Sequence, residues 1–164
     1  MNFFIGLIAF LICLNNLFAL PVVHTEQGLV EGIQHAEILE FRGIPYGEAG
    51  RWEETREPSK HRGILRAYKH GAISMQAGFS IKGGLTGGKV KGAENSQFIN
   101  IAVSKNRTTK KMPVLLWIHG GAHVMGDGSQ SGFYNISRLA REGKMIVASI
   151  NYRLGSLGYF AHPD

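Results

Sequence analysis

Pro113-Val114-Leu115-Leu116-Trp117-Ile118-His119-Gly120-Gly121-Ala122 is an unbroken apolar run that opens directly onto a histidine and two glycines. A run of this kind, without polar alternation, predicts an inner strand covered on both faces. The glycines behind it predict a loop whose backbone can approach a neighbour closely. Further on, Ile136 to Glu142 predicts a short helix, and Met145 to Tyr152 is a second β-rich run. Strand, glycine loop, helix and strand in succession are the rhythm of an α/β domain.

Upstream of this stretch the pattern is that of β structure. Val22-Val23-His24-Thr25 and Leu29-Val30-Glu31-Gly32-Ile33 flank Glu26-Gln27-Gly28, which predicts a hairpin with glycine at the tight position. Ile38 to Phe41 starts another strand, which Gly43-Ile44-Pro45-Tyr46 is expected to stop, because proline removes a donor and restrains its neighbour. Residues 48 to 70 are charged and irregular. Gly83, Gly84, Gly87 and Gly88 predict a flexible loop, after which Phe98 to Val103 resumes a strand. No internal repeat or domain linker is visible, and the length of 164 residues suits one domain.

Met1 to Leu20 carries no charged side chain, is apolar from Phe3 to Leu14, breaks at Asn15-Asn16 and ends in Leu17-Phe18-Ala19. This predicts a signal peptide over residues 1–19, cut near Ala19, with the mature chain in 20–164 and secreted. The competing reading is a membrane anchor, but a span needs about 20 consecutive apolar residues and Asn15-Asn16 interrupts this run. Stable membrane insertion is therefore not expected. Cys13, the single cysteine, falls inside the leader, so no disulfide is expected in the mature chain. Asn106-Arg107-Thr108 and Asn135-Ile136-Ser137 fit the glycosylation acceptor, making Asn106 and Asn135 candidate glycan sites of a secreted glycoprotein. The net charge of +6 comes from scattered short groups such as Lys60-His61-Arg62 and Lys110-Lys111. Without a stripe or a known motif, these describe a solvated surface and not a nucleic-acid partner.

Three short patterns carry less chemistry than they suggest. Gly83 to Lys89 satisfies G-x-x-x-x-G-K, but Val90 stands where a phosphate loop needs a hydroxyl for magnesium, and no apolar strand leads in. His119 and His123 are four apart, yet the glycines between them oppose the helix that would align two zinc ligands. Ser156 lies in a glycine-rich turn, but neither it nor any other serine of the chain has G-x-S-x-G around it. No cofactor and no metal is expected. His119-Gly120-Gly121-Ala122 remains: backbone N–H groups fixed in a water-poor cleft stabilise the oxyanion of ester cleavage, and a glycine loop without a catalytic role is the plain alternative.

Taken together, Phe41-Arg42-Gly43-Ile44-Pro45-Tyr46, Val114 to Ala122, Gly126-x-Gly128-Ser129 and Ile150-Asn151-Tyr152-Arg153-Leu154-Gly155-Ser156-Leu157-Gly158 resemble, in order and spacing, the landmarks of type-B carboxylesterases, relatives of the cholinesterases. The resemblance is strongest from Lys111 to Phe160 and weakest from Gly47 to Ser96. It implies an α/β-hydrolase fold: an antiparallel N-terminal hairpin and the first strands of a mostly parallel sheet, ending before the nucleophile elbow. It implies that Gly121 and Ala122, supported by Gly120, donate oxyanion N–H groups, with Ala122 a mild departure from a third glycine and His123 standing where an aromatic or apolar residue is usual. It implies also that Arg51 and Glu94 form a structural salt bridge.

The departures are equally specific. A family disulfide is implied at the positions of Ser74 and Ser96, and losing both cysteines together leaves no stranded thiol while removing a link worth about 2–4 kcal/mol. The stretch after Tyr46 is shortened around Glu48-Ala49-Gly50, and His61 replaces a common tryptophan. Nucleophile, acid and base are all implied beyond Asp164, so none of the triad is expected in this chain, and the chain alone is expected to be inactive. The implied partner of the complete protein is a small-molecule carboxylic ester. A non-catalytic, neuroligin-type binding protein is the alternative of another class. Arg153 is expected to lack an acidic mate, and an exposed sheet edge is expected to favour self-association.

Overall fold

The computed structural model describes residues 20–78, 88–106, 111–129 and 134–161. The predicted leader and most of the glycine-rich loop at Gly83 to Lys89 lie outside them. Two sheets and one helix make the body of the chain.

Strands β1 (Val22–Thr25) and β2 (Gly28–Glu31) form the expected hairpin, with Thr25 opposite Gly28. Glu26 and Gln27 are its two loop residues, and Gly28, at φ 140°, opens the second strand under the His61 ring. β3 (Ile33–His35) and β4 (Ile38–Pro45) follow as a second antiparallel pair. The charged stretch expected to be irregular contributes β5 (Ile64–Arg66), which lies parallel to β2 and completes a three-stranded sheet. β6 (Gln76–Ala77) and β7 (Val90–Lys91) form a two-residue ladder.

The larger sheet has the order β3-β4-β8-β10-β9, where β8 is Phe98–Ser104, β9 Val114–Ile118 and β10 Ile146–Ile150. It is antiparallel from β3 to β10 and turns parallel at the β10–β9 pair. The expected stop at Gly43 is instead an irregularity. Register shifts between Phe41 and Ile44, Gly43 takes φ 67° and donates its N–H to Asn100 Oδ1 at 3.0 Å, and pairing resumes at Ile44–Ile99 and Pro45–Phe98. A bulge with an alternative acceptor lets the strand bend without leaving an orphan donor.

Strand alternation decides which face each residue covers. Ile38, Ala102 and Val147 meet α1 (Ile136–Gly143) through Ile136 and Ala140, while Val30, Phe41 and Ala67 pack between the two sheets. Burying one of the Val, Ile or Phe side chains here contributes roughly 1.5–3 kcal/mol, an alanine less. α1 starts where Asn135 Oδ1 accepts from Arg138 N at 2.8 Å and ends at left-handed Lys144. A one-turn helix, α2 (Ser156–Tyr159), takes the place of the turn expected around Ser156.

The inner-strand expectation for β9 does not hold within this chain, and the expected exposed edge lies there. β9 is not covered on both faces: it ends the sheet, with Val114 65% and Ile118 59% exposed. Its apolar sequence demands burial, but only the β10 side supplies a neighbour among the described residues.

Candidate functional site

β9 delivers His119 to the start of a loop whose backbone is left-handed at three successive residues: Gly121 at φ 128°, Ala122 at 53° and His123 at 61°. Glycine accepts such angles freely, while each non-glycine residue held there costs about 1–3 kcal/mol, so the surrounding structure has to enforce it. It does so by hydrogen bonds. Gly121 O accepts from Val124 N and Met125 N, both at 3.1 Å, and His123 O accepts from Gly155 N at 2.7 Å. The His123 ring stacks on Tyr159 at 4.4 Å.

His119 anchors the loop at its base. It is buried, stacks on Tyr152 at 4.4 Å, and its Nδ1 lies 2.8 Å from Gly120 O, a contact in which Nδ1 must donate. Its carbonyl accepts the Tyr152 hydroxyl at 2.7 Å. Burial pushes the Tyr152 phenol up, with Tyr159 and Tyr134 adding to the shift, so the hydroxyl remains a donor at neutral pH.

The far end of the loop is tied by two buried amides. Gln76 pairs with Gly126, and Asn151 Oδ1 accepts from Gly128 N at 2.7 Å while its Nδ2 donates to Ala72 O at 3.0 Å. The Asn151 carbonyl in turn accepts from Tyr46 OH at 2.8 Å, and the Tyr46 phenol is also raised, chiefly by burial and against the pull of Arg153 and Gln97.

Gly120, Gly121, Ala122 and His123 line one open cleft of about 510 Å³ together with Tyr152, Arg153 and Tyr159. Among the described residues no acceptor takes the N–H of Gly121 or of Ala122. Two adjacent donors on the wall of a cleft can hold a negative oxygen.

The other residues singled out by sequence fall around this loop. Ser74 Oγ lies 2.7 Å from Ser96 Oγ. Arg51 Nε lies 3.0 and 3.1 Å from the two Glu94 carboxylate oxygens, and its Nη2 also donates to that carboxylate. Arg153 Nη1 donates to Glu53 O at 2.9 Å, so a backbone carbonyl takes up the guanidinium. Asn106 and Asn135 are both exposed; the rest of the Asn106 acceptor lies outside the described residues, while Ser137 hydrogen-bonds Glu40 beside Asn135. Among the described residues no helix is long and apolar enough to cross a membrane.

Gln76, Asn151 and Tyr152 also shape the loop, and the sequence does not single them out for that role. Asn151 and Tyr152 stood inside a motif already noted, but nothing local reveals that their partners are Gly128 and His119.

Comparison with known proteins places the chain in a family. The family model described as "Carboxylesterase family" matches residues 19–164. The para-nitrobenzyl esterase of Bacillus subtilis is 32% identical over 142 residues, 84% of this chain and 28% of that protein. The bile salt-activated lipase of Mus musculus is 32% identical over 159 residues, 88% of this chain and 26% of that protein. A solved PNB esterase structure superposes with a TM-score of 0.75 at 29% identity, over 88% of this chain and 29% of the other. The chain thus spans between a quarter and a third of the length of these relatives.

Proposed function

The chain belongs to the carboxylesterase family and carries the N-terminal portion of the α/β-hydrolase fold, and from that premise we propose that it supplies the oxyanion-binding wall of a serine esterase acting on small carboxylic esters. The observation that supports this most is the left-handed run Gly121-Ala122-His123 directly after β9, with the N–H groups of Gly121 and Ala122 unaccepted among the described residues.

When a serine oxygen attacks an ester carbonyl, the carbonyl oxygen takes on negative charge as the carbon becomes tetrahedral. Gly121 N–H and Ala122 N–H would donate to that oxygen, with Gly120 leaving space for its approach: a side chain built on Gly120 meets nothing within 4 Å. Fixed donors of this kind contribute more to the transition state than to the planar ester, since charge develops only as the bond forms. The nucleophile, acid and base belong to the part of the fold that this chain's motifs do not include. The chain is further read as secreted by its leader, glycosylated at Asn106 and Asn135, and prone to self-association along β9.

The test is a graft in which residues 20–164 replace the matched portion of the Bacillus subtilis para-nitrobenzyl esterase. Turnover of para-nitrobenzyl esters is expected, and Gly121→Ala should lower kcat by about 100-fold or more. A folded graft that binds esters and turns none over would overturn the catalytic reading and favour the binding-protein alternative.

A further inference from the structure

Gln76 reaches the loop from a two-residue strand fifty positions earlier in the chain. Its amide matches the Gly126 backbone at both ends: Oε1 accepts from Gly126 N at 2.8 Å and Nε2 donates to Gly126 O at 2.9 Å. Nε2 also donates to Ser74 O at 3.0 Å. The orientation of the amide is unambiguous, because a backbone N–H can only donate and a carbonyl can only accept. Gln76 is buried, so cutting either bond would leave a polar group without water to replace it.

What Gln76 holds is the hinge of the candidate oxyanion loop. Gly126 has φ 113°, and a Cβ placed on it would stand 2.6 Å from both Gly120 O and His119 Nδ1, so this backbone lies directly against the base of the loop. Met125, joined to Gly126, donates to Gly121 O, and its own carbonyl occupies the space a Gly121 side chain would need, 1.9 Å from the ideal Cβ. The position of Gly126 therefore sets Met125, and Met125 sets Gly121.

Gln76 is itself braced. Its strand pairs with β7, Ser74 bridges Ala93, and Ser74 Oγ contacts both Ser96 Oγ and the Tyr152 carbonyl. We propose that Gln76 is a positioning residue for the oxyanion donors, fixing the Gly121 turn through Gly126 and coupling it to the Ser74–Ser96 segment. Its consequence for catalysis rests on the esterase reading above; the mechanical clamp does not.

The experiment compares the full chain with Gln76→Met, which keeps length and loses all three amide bonds, and Gln76→Glu, which still accepts from Gly126 N but cannot donate when ionised. Hydrogen exchange is followed in the peptide spanning 120–127, with β4 and β8 as folding control. Gln76→Met should accelerate exchange there about tenfold or more while the control strands keep their protection, and Gln76→Glu should fall between. Unchanged exchange in that peptide, with the controls intact, overturns the clamp. If the controls also lose protection, the same variants in the para-nitrobenzyl esterase graft decide: kcat is expected to fall about 100-fold with KM nearly unchanged, and Gln76→Glu to restore part of it. Unchanged kcat in an active graft overturns the positioning role. A graft inactive even with Gln76 counts against the esterase reading alone, and exchange in that graft still judges the clamp.

Discussion

Ser74 and Ser96 share a buried hydrogen bond, their Oγ atoms 2.7 Å apart, and Ser74 also donates to the carbonyl of Tyr152. One small contact thus joins the start and end of the 74–96 segment to the strand exit that carries the loop-anchoring tyrosine. Replacing both serines by cysteine should give a cross-link under oxidising conditions, visible as the loss of two hydrogens in mass. The bridge would close a loop of 22 residues' separation and raise stability by about 3 kcal/mol over the reduced form. Failure to oxidise while the protein stays folded would mean that the two backbones do not hold a bridge-compatible geometry.

The glycines of the loop should respond unequally to a single methyl group. At Gly120 an added Cβ meets nothing within 4 Å, so Gly120→Ala is expected to be nearly neutral for the fold. At Gly121 it would sit 1.9 Å from Met125 O at φ 128°, so Gly121→Ala should force the turn open and cost roughly 1–3 kcal/mol. Thermal melts and exchange rates of residues 119–126, measured for both variants in one scaffold, check the contrast. Equal effects would show that the turn yields more readily than its contacts imply.

Much of this arrangement is legible in the sequence, and what is not has a common physical cause. Apolar runs and turn residues act locally, so β8, β10, α1 and the first hairpin stand where their patterns put them. The bulge at Gly43 hides behind Pro45, because the bond that rescues its N–H goes to Asn100, 57 residues away. Gln76 looks like any polar residue until Gly126 is brought against it. The exposure of β9 shows the same limit, since burial belongs to a strand's neighbours and its own composition states only that neighbours are needed.

Arg51 and Glu94 should give a stability increment that disappears in acid. Hydrogen bonds from Arg51, reinforced by its charge and opposed by partial burial, hold the Glu94 carboxyl below its ordinary 4.5. A carboxyl with a depressed folded-state pKa contributes stability that is full above its unfolded value and is lost as pH falls through the folded one. The difference between the parent and Glu94→Gln should therefore be constant near neutrality and vanish below the carboxylate range. Both side chains are solvent-accessible, so added salt should shrink it as well. A difference that persists in acid would assign the effect to packing.

The purified chain should show no stoichiometric labelling by an active-site serine reagent. Ser156 begins α2, and no serine in the sequence stands in G-x-S-x-G. Donors for an oxyanion can polarise a carbonyl but cannot attack it. Mass spectrometry after treatment with a fluorophosphonate separates this from slow imidazole-catalysed hydrolysis, and one covalent adduct per chain on a serine would refute it.

The last prediction concerns β9. Val114, Leu116, Trp117 and Ile118 are exposed at the end of the sheet, where one row of backbone N–H and C=O groups faces away from β10. Unpaired edges with apolar side chains recruit further strands, and natural proteins blunt them with charge, proline or a bulge. None of these interrupts Val114 to Ile118, and the described part of the loop behind it up to His123 turns back toward Tyr152 and Gly155. A domain's net stability is only about 5–15 kcal/mol, so an uncovered central-type strand leaves little margin. The chain alone should therefore associate in a concentration-dependent way at micromolar levels. Leu116→Lys together with Ile118→Lys should move it toward monomer without changing its β content, because charge opposes edge pairing without removing any contact to α1. Sedimentation velocity with circular dichroism on both forms is the measurement, and a monodisperse parent monomer with a cooperative melt would show that the edge is tolerated.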